Sequence, residues 1–171
     1  MLLREVRFDV IKGNISEIAY LAEGIGTTKG VDANLDALST EGNLRWHTDL
    51  ARKVSTQTGA AIVISGPIDI VADSHEAWAI RNGHPMMANI TGTGCMSAGV
   101  IGCCVGADPQ ALLPSCVCAM SAMGICGELA YEKLLSVDGG SGTYRVLLMD
   151  AMSKLDGATL TRRSKAERLR I

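Results

Sequence analysis

The apolar positions of this chain fall into short strand-like runs separated by segments of helical period. Val6 to Ile11 is an apolar-rich run that predicts a strand. Lys12-Gly13-Asn14 follows, and then Ile15-Ser16-Glu17-Ile18-Ala19-Tyr20-Leu21-Ala22 predicts a helix, with Asn14 as N-cap, Glu17 three residues on, and Gly24 as its stop. Residues 23–43 are rich in Gly, Thr, Asp and Asn and predict a long loop with a short helix around Leu35 to Leu38; loops of this length in compact domains are usually functional or mobile. Leu44 to Thr58 has helical character and stops at Gly59. Ala60 to Ile64 is fully apolar, as expected of a strand covered on both faces. Ser65-Gly66-Pro67 turns the chain, Ile68 to Ala72 and Glu76 to Ile80 predict two further strands around an Asp73-Ser74 turn, and Asn82-Gly83 marks another turn.

The second half is more apolar. Thr91-Gly92-Thr93-Gly94-Cys95 leads into a helix expected to run to about Val105, closed by Gly106. Asp108-Pro109 predicts the opening of the next helix, bent at Pro114 and running to about Leu135. Residues 138–142 predict a loop, Tyr144 to Met149 a strand, and Asp150 to Leu155 a short helix. Arg162 to Arg170 is rich in basic residues and predicts a frayed tail, so residues 1–156 are expected as the domain and 157–171 as a basic tail. Alternating strands and helices indicate an α/β layered domain with a largely parallel central sheet and a hairpin-like insertion at residues 68–80.

Composition narrows the function classes. With 171 residues, 47% hydrophobic and 20% charged, the chain can build a packed core. A net charge of -2 and 4% aromatics argue against nucleic acid as a partner, which would call for a basic excess and stacking surfaces. Between Arg81 and Glu128 only Asp108 carries a fixed charge, and residues 109–127 form an uncharged run close to transmembrane length. Gln110, Pro114, Ser115 and Ser121 interrupt it, and no basic or aromatic flanks accompany it, so a buried helix pair rather than a membrane span is expected. The opening residues show no signal-peptide pattern, which leads to an expected cytoplasmic location. All six cysteines (95, 103, 104, 116, 118 and 126) lie in this apolar stretch without paired zinc spacing; most are expected as buried, reduced thiols. His47, His75 and His84 have no adjacent metal-ligand partner and are expected on the surface or in loops.

The sharpest chemical feature is Thr91-Gly92-Thr93-Gly94-Cys95. Glycines let the backbone approach a ligand, and the following helix turns its N–H groups and positive dipole end toward the loop, which makes an anion site. Cys95 in the first turn would sit in a field that favours a thiolate base or nucleophile. The same pattern also fits a tight turn before a buried helix, with Cys95 as packing. It is neither a Walker A loop nor a dinucleotide fingerprint, since no Lys-Ser/Thr pair follows and position 97 is Ser. Asn14-Ile15-Ser16-Glu17 fits a helix capping box, or alternatively places Glu17 near a Mg²⁺ ion or its waters. Ser65, at the end of a buried strand, suits either a turn or a ligand contact.

Taken in order, residues 10–18, Lys29-Gly30-Val31-Asp32, Ile62-Val63-Ile64-Ser65-Gly66 with Asp69, Asn82-Gly83-His84-Pro85-Met86-Met87, the Gly92-to-Cys95 loop, Gly127-Glu128 and Leu147 to Ala151 resemble the hydroxyethylthiazole kinases of the ribokinase-like superfamily. The resemblance implies an ATP- and Mg²⁺-dependent kinase that phosphorylates the primary hydroxyl of 4-methyl-5-(2-hydroxyethyl)thiazole in thiamine biosynthesis and salvage. It implies Cys95 as the base beside the acceptor hydroxyl, and Gly92, Thr93 and Gly94 as the anion hole, with Gly92 also touching the thiazole. Ser65 stands where the family often has Thr against ATP. Lys12 stands where an Arg usually does, keeping the charge but losing the bidentate fork. Asn14 and Glu17 match the element that supports Mg²⁺, Asn14 indirectly through water. The resemblance further implies a cytoplasmic homotrimer with shared sites, and an N-terminal segment with several strands ahead of the matching blocks, so the chain reads as the C-terminal two-thirds of such a kinase. A non-catalytic or truncated subunit that needs another chain, and a kinase of a related small alcohol such as the pyrimidine precursor of thiamine, are the competing expectations.

Overall fold

The apolar runs become a five-stranded sheet in the order β1-β2-β3-β4-β5. The computed structural model describes residues 2–24 and 40–170, so the Lys29-Gly30-Val31-Asp32 block and the helix expected around Leu35 lie outside the described residues. Before the sheet comes one helical turn, α1 (Leu2–Glu5). β1 (Val10–Asn14) runs parallel to β2 (Ala61–Ser65), with Lys12 beside Val63 and Asn14 beside Ser65. β2 then pairs antiparallel with β3 (Asp69–Ala72), Ile64 facing Ile70. β4 (Ala77–Ile80) follows after the turn in which Asp73 accepts the N–H groups of His75 and Glu76. The sheet is therefore mixed, and its parallel part is the β1–β2 pair.

The chain divides into two compact units, one made of Met1–Ala79, Gln110–Pro114 and Glu167–Ile171, the other of Ile80–Pro109 and Ser115–Ala166. In the first, α2 (Ile15–Gly24) and α3 (Leu44–Thr58) supply Ile18, Ala22, Leu50 and Val54 to a core closed by Ile11, Ile62, Ile64 and Ile70. The alternate positions Ala61, Val63 and Val71 are buried as well, which is why the β2 run is apolar throughout. α3 stops where Gly59 adopts φ 74°, a left-handed conformation that costs glycine little, and its N–H donates to the Ser55 carbonyl.

The second unit is helical. A short 3₁₀ helix (Pro85–Asn89) precedes α4 (Thr93–Ala107), α5 (Leu112–Leu134), α6 (Ser141–Lys154) and α7 (Gly157–Arg163). Its core gathers Ile90, Met123, Cys126, Ala130, Leu134, Tyr144 and Leu148. Gly124 of α5 meets Asn82 so closely that an added Cβ would lie 2.6 Å from the Asn82 backbone carbon. Gly124→Ala is expected to cost about 1–3 kcal/mol, read from urea denaturation midpoints, because backbone rather than a flexible side-chain end must move.

Several expectations are corrected here. Tyr144 to Met149 is helical, not a strand; buried Tyr144 and Leu148 stand four residues apart on one helix face, and the Tyr144 hydroxyl donates to the Gly127 carbonyl at 2.9 Å. The segment expected as a frayed tail forms α7 and then β5 (Ala166–Arg168). Asp156 caps α7 by accepting the Thr159 N–H, Arg163 grips Glu132 through two bonds at 2.7 and 3.1 Å, and Leu169 N–H donates to the Ala77 carbonyl. Asp108 ends α4 instead of opening α5, and Pro114 falls in the first turn of α5, where its missing N–H breaks no bond and forces no bend. α5 is the one described helix long and apolar enough to cross a bilayer, and most of its apolar stretch is buried in the fold. His47 is fully buried rather than exposed, which pushes its pKa below the usual imidazole value.

Candidate functional site

β1 and β2 place the residues expected to face a nucleotide at their shared carboxyl edge. Lys12 is half-buried on β1. Two residues on, Asn14 and Glu17 form a complete capping box: Asn14 Oδ1 accepts the Glu17 N–H at 2.9 Å, and Glu17 Oε2 accepts the Asn14 N–H at 2.8 Å. Gly13 makes room for it, since a Cβ there would lie 2.9 Å from Glu17 Oε2. The capping alternative is thus realised, and both side chains remain exposed. Asn14→Ala removes one half of the box and is expected to cost about 0.5–2 kcal/mol, read as a lower midpoint in thermal denaturation.

Ser65, opposite Asn14, points its hydroxyl at the Gly13 carbonyl, 3.5 Å away. Ser65 and Asp69 bracket the tight turn Gly66-Pro67-Ile68. The Asp69 carboxylate accepts the Gly66 N–H at 2.9 Å and is almost wholly buried. Burial is the largest influence and pushes its pKa up to about 7, against the opposing pull of the Gly66 N–H and of the Lys12 charge. Sequence reasoning gave Asp69 no role. Its spacing, three residues after a turn glycine, is the signal for a side chain that closes the turn on its own backbone.

The Gly92-to-Cys95 corner belongs to the second unit. Gly92 caps α4 at φ 99°, a conformation that a side chain would strain. The first intrahelical bond runs from the Met96 N–H to the Gly92 carbonyl at 2.9 Å, so Thr93, Gly94 and Cys95 make up the first turn and the positive end of the helix dipole. Ser97 braces this turn by donating to the Gly94 carbonyl at 2.8 Å. Cys95 is exposed, so its thiol is open to a reactant. The expectation that most cysteines are buried is corrected: all six are free thiols, but only Cys116 and Cys126 are buried, because most of α4 faces outward.

The other quoted motifs have structural roles. Asn82 donates to Glu128 and to the Arg163 carbonyl, and accepts the Lys165 N–H; Glu128 also takes the Gly83 N–H and the Lys165 ammonium. His84 lies in the loop before the 3₁₀ helix, as expected, where it stacks on Tyr131 at 3.6 Å while its Nδ1 accepts the Met86 N–H. Among the described residues, no three His, Cys, Asp or Glu side chains gather into a metal-binding cluster.

This fold is that of the ribokinase-like small-molecule kinases. A solved structure described as hydroxyethylthiazole kinase protein from Pyrococcus horikoshii OT3 superposes with a TM-score of 0.74 at 22% identity, over 95% of this chain and 55% of that one. The family model described as the hydroxyethylthiazole kinase family matches residues 1–158, and the chain belongs to that family. It is 50% identical to a hydroxyethylthiazole kinase of Desulfovibrio desulfuricans, over 99% of this chain and 62% of the relative. It is 45% identical to one of Clostridium acetobutylicum, over 93% of this chain and 58% of the relative. The chain thus spans about three-fifths of the length of the curated relatives it matches.

Proposed function

We propose that the chain carries out the family's phosphoryl transfer, moving the γ-phosphate of ATP to the hydroxyl of 4-methyl-5-(2-hydroxyethyl)thiazole in thiamine biosynthesis and salvage. The observation that carries this reading is the left-handed Gly92 corner, which puts the exposed Cys95 in the first turn of α4 in a member of this family. Lys12 and Ser65 bind ATP by charge and hydroxyl. Cys95 takes the proton of the acceptor hydroxyl. The new O–P bond forms as the bond to the departing ADP oxygen breaks, ADP leaves with the electron pair, and the proton rests on Sγ. The N–H groups of the Gly92, Thr93 and Gly94 corner receive the developing negative charge.

Glu17 offers an exposed carboxylate, with Asn14 beside it, and this donor set suits a hard cation reached through water. When bound, Mg²⁺ would neutralise phosphate charge. The assembly is a cytoplasmic homotrimer in this reading. The test is a Mg²⁺-ATP assay on the 171-residue chain with hydroxyethylthiazole, run beside the pyrimidine alcohol of the thiamine route. Faster turnover of the thiazole is expected. Preference for the pyrimidine, or no turnover by the folded chain with either alcohol, overturns the reading for this chain.

A further inference from the structure

Ser65 is the last residue of β2, and its neighbours on the two sides hold it differently. On one side it stands beside Asn14 of β1, and its hydroxyl reaches the Gly13 carbonyl only at 3.5 Å, the outer limit of a hydrogen bond. On the other side the partner pairs of β2 and β3 end at Ile64 and Ile70, one residue short of Ser65. Gly66-Pro67-Ile68 then carries the chain from Ser65 to Asp69, the first residue of β3. Pro67 has no N–H to give. The Gly66 N–H, directly after Ser65, donates to the Asp69 carboxylate at 2.9 Å. That bond ties the end of β2 to β3 beyond the last partner pair. Asp69 is buried and Ser65 only half-buried, so a ligand at this edge meets the hydroxyl and not the carboxyl.

We propose that Asp69 is a positioning residue for the nucleotide: by holding the Gly66 N–H it fixes the end of β2 from which Ser65 presents its hydroxyl to ATP. The inference rests on the reading in which Lys12 and Ser65 bind ATP. Asp69 acts there through Ser65 and touches neither the substrate nor the reacting atoms. Its part is that of an acceptor, which needs an oxygen at the Oδ1 position; asparagine keeps that oxygen and alanine lacks it. A residue that acts through Ser65 contributes no more to affinity than Ser65 does. A hydroxyl bonded to a charged phosphate contributes roughly 10–100-fold, so the loss on removing the Asp69 side chain falls within that range or below it. The coupling is also reciprocal: if the Asp69–Gly66 bond favours the nucleotide, the nucleotide favours the bond by the same factor.

The test titrates the 171-residue chain with a non-hydrolysable ATP analogue and Mg²⁺ in a calorimeter, with no acceptor alcohol present. Ser65→Ala is expected to weaken binding by roughly 10–100-fold, Asp69→Ala by about 3–30-fold, and Asp69→Asn by less than about twofold. The double variant Ser65→Ala with Asp69→Ala should bind no more weakly than Ser65→Ala alone. A purely structural role would lower the number of sites counted in the titration and leave the Kd of the remaining sites unchanged. An unchanged Kd in Asp69→Ala, additive losses in the double variant, or an asparagine variant as weak as the alanine one overturns the inference. Where Asp69→Ala fails to fold, amide hydrogen exchange in the unsubstituted chain decides: the analogue should slow exchange at the Gly66 N–H by the same factor of about 3–30, and unchanged exchange overturns the inference. No binding by the folded, unsubstituted chain removes the nucleotide reading, and the inference falls with it. Binding without phosphorylation of the thiazole removes only the proposed reaction, and the Kd values still decide the part of Asp69.

Discussion

Cys95→Ala is expected to lower turnover by about 10²–10⁴-fold, the usual loss when a positioned proton acceptor is removed, while ATP affinity stays within about twofold. The two readouts separate because the roles proposed for these residues differ. Cys95 stands in the first turn of α4, whereas Lys12 and Ser65, the residues assigned to ATP, belong to β1 and β2 of the other compact unit. Alanine leaves the Gly92 corner and the Ser97 brace in place, so the N–H groups proposed to receive phosphate charge keep their positions. Cys95→Ser sharpens the test. It restores size and a proton-bearing group but not a readily ionised one, so it should recover little of the lost rate. Steady-state kinetics with a nucleotide-binding titration checks both variants. A kcat unchanged in Cys95→Ala would remove Cys95 from the chemistry, and equal losses in turnover and nucleotide binding would assign it a structural part.

What the sequence made legible follows the range of the forces involved. The capping box at Asn14 and Glu17 is a contact over three residues, and both halves are present as read. The apolar run Ala60 to Ile64 announced a strand covered on both faces. Contacts between distant segments were not legible. Tyr144 to Met149 has strand composition, and only the Gly127 carbonyl waiting for the Tyr144 hydroxyl, together with packing in the second core, makes it a helix. The basic end segment looked unstructured because its acidic partners, Glu132, Glu128 and Glu76, come from elsewhere in the chain. His47 gave no sign of burial because its surroundings are assembled by α3 packing on the sheet. Among the candidate residues, the local motifs at Asn14–Glu17 and at Gly92–Cys95 could each be read directly. The burial of Asp69 could not, because it needs β2 and β3 closed around the turn.

That buried carboxyl leads to the second large effect: Asp69→Asn is expected to stabilise the fold by about 2–4 kcal/mol at pH 8, and by close to nothing at pH 4. Unfolded, the group ionises with a pKa of 3.8; folded, burial holds it up to about 7, although the Gly66 N–H and Lys12 both favour the charge. A raised carboxyl pKa means that the folded state keeps its proton where the unfolded state has already released it. Stability is therefore lost as pH climbs through the window between those two values and levels off above about 7. A shift of roughly three units corresponds to about 4 kcal/mol as an upper figure. Asparagine has nearly the same shape, its Oδ1 can still accept the Gly66 N–H, and it has no charge to bury, so the turn after Ser65 should survive while the pH-dependent penalty disappears. Denaturant unfolding of both proteins at pH 4, 6 and 8 decides it, since every other titrating group is common to the pair. A stability difference that does not grow with pH would mean that water or Lys12 screens the carboxylate better than its burial implies. A variant less stable at pH 8 would mean that the charged form of Asp69 is the one that holds the turn.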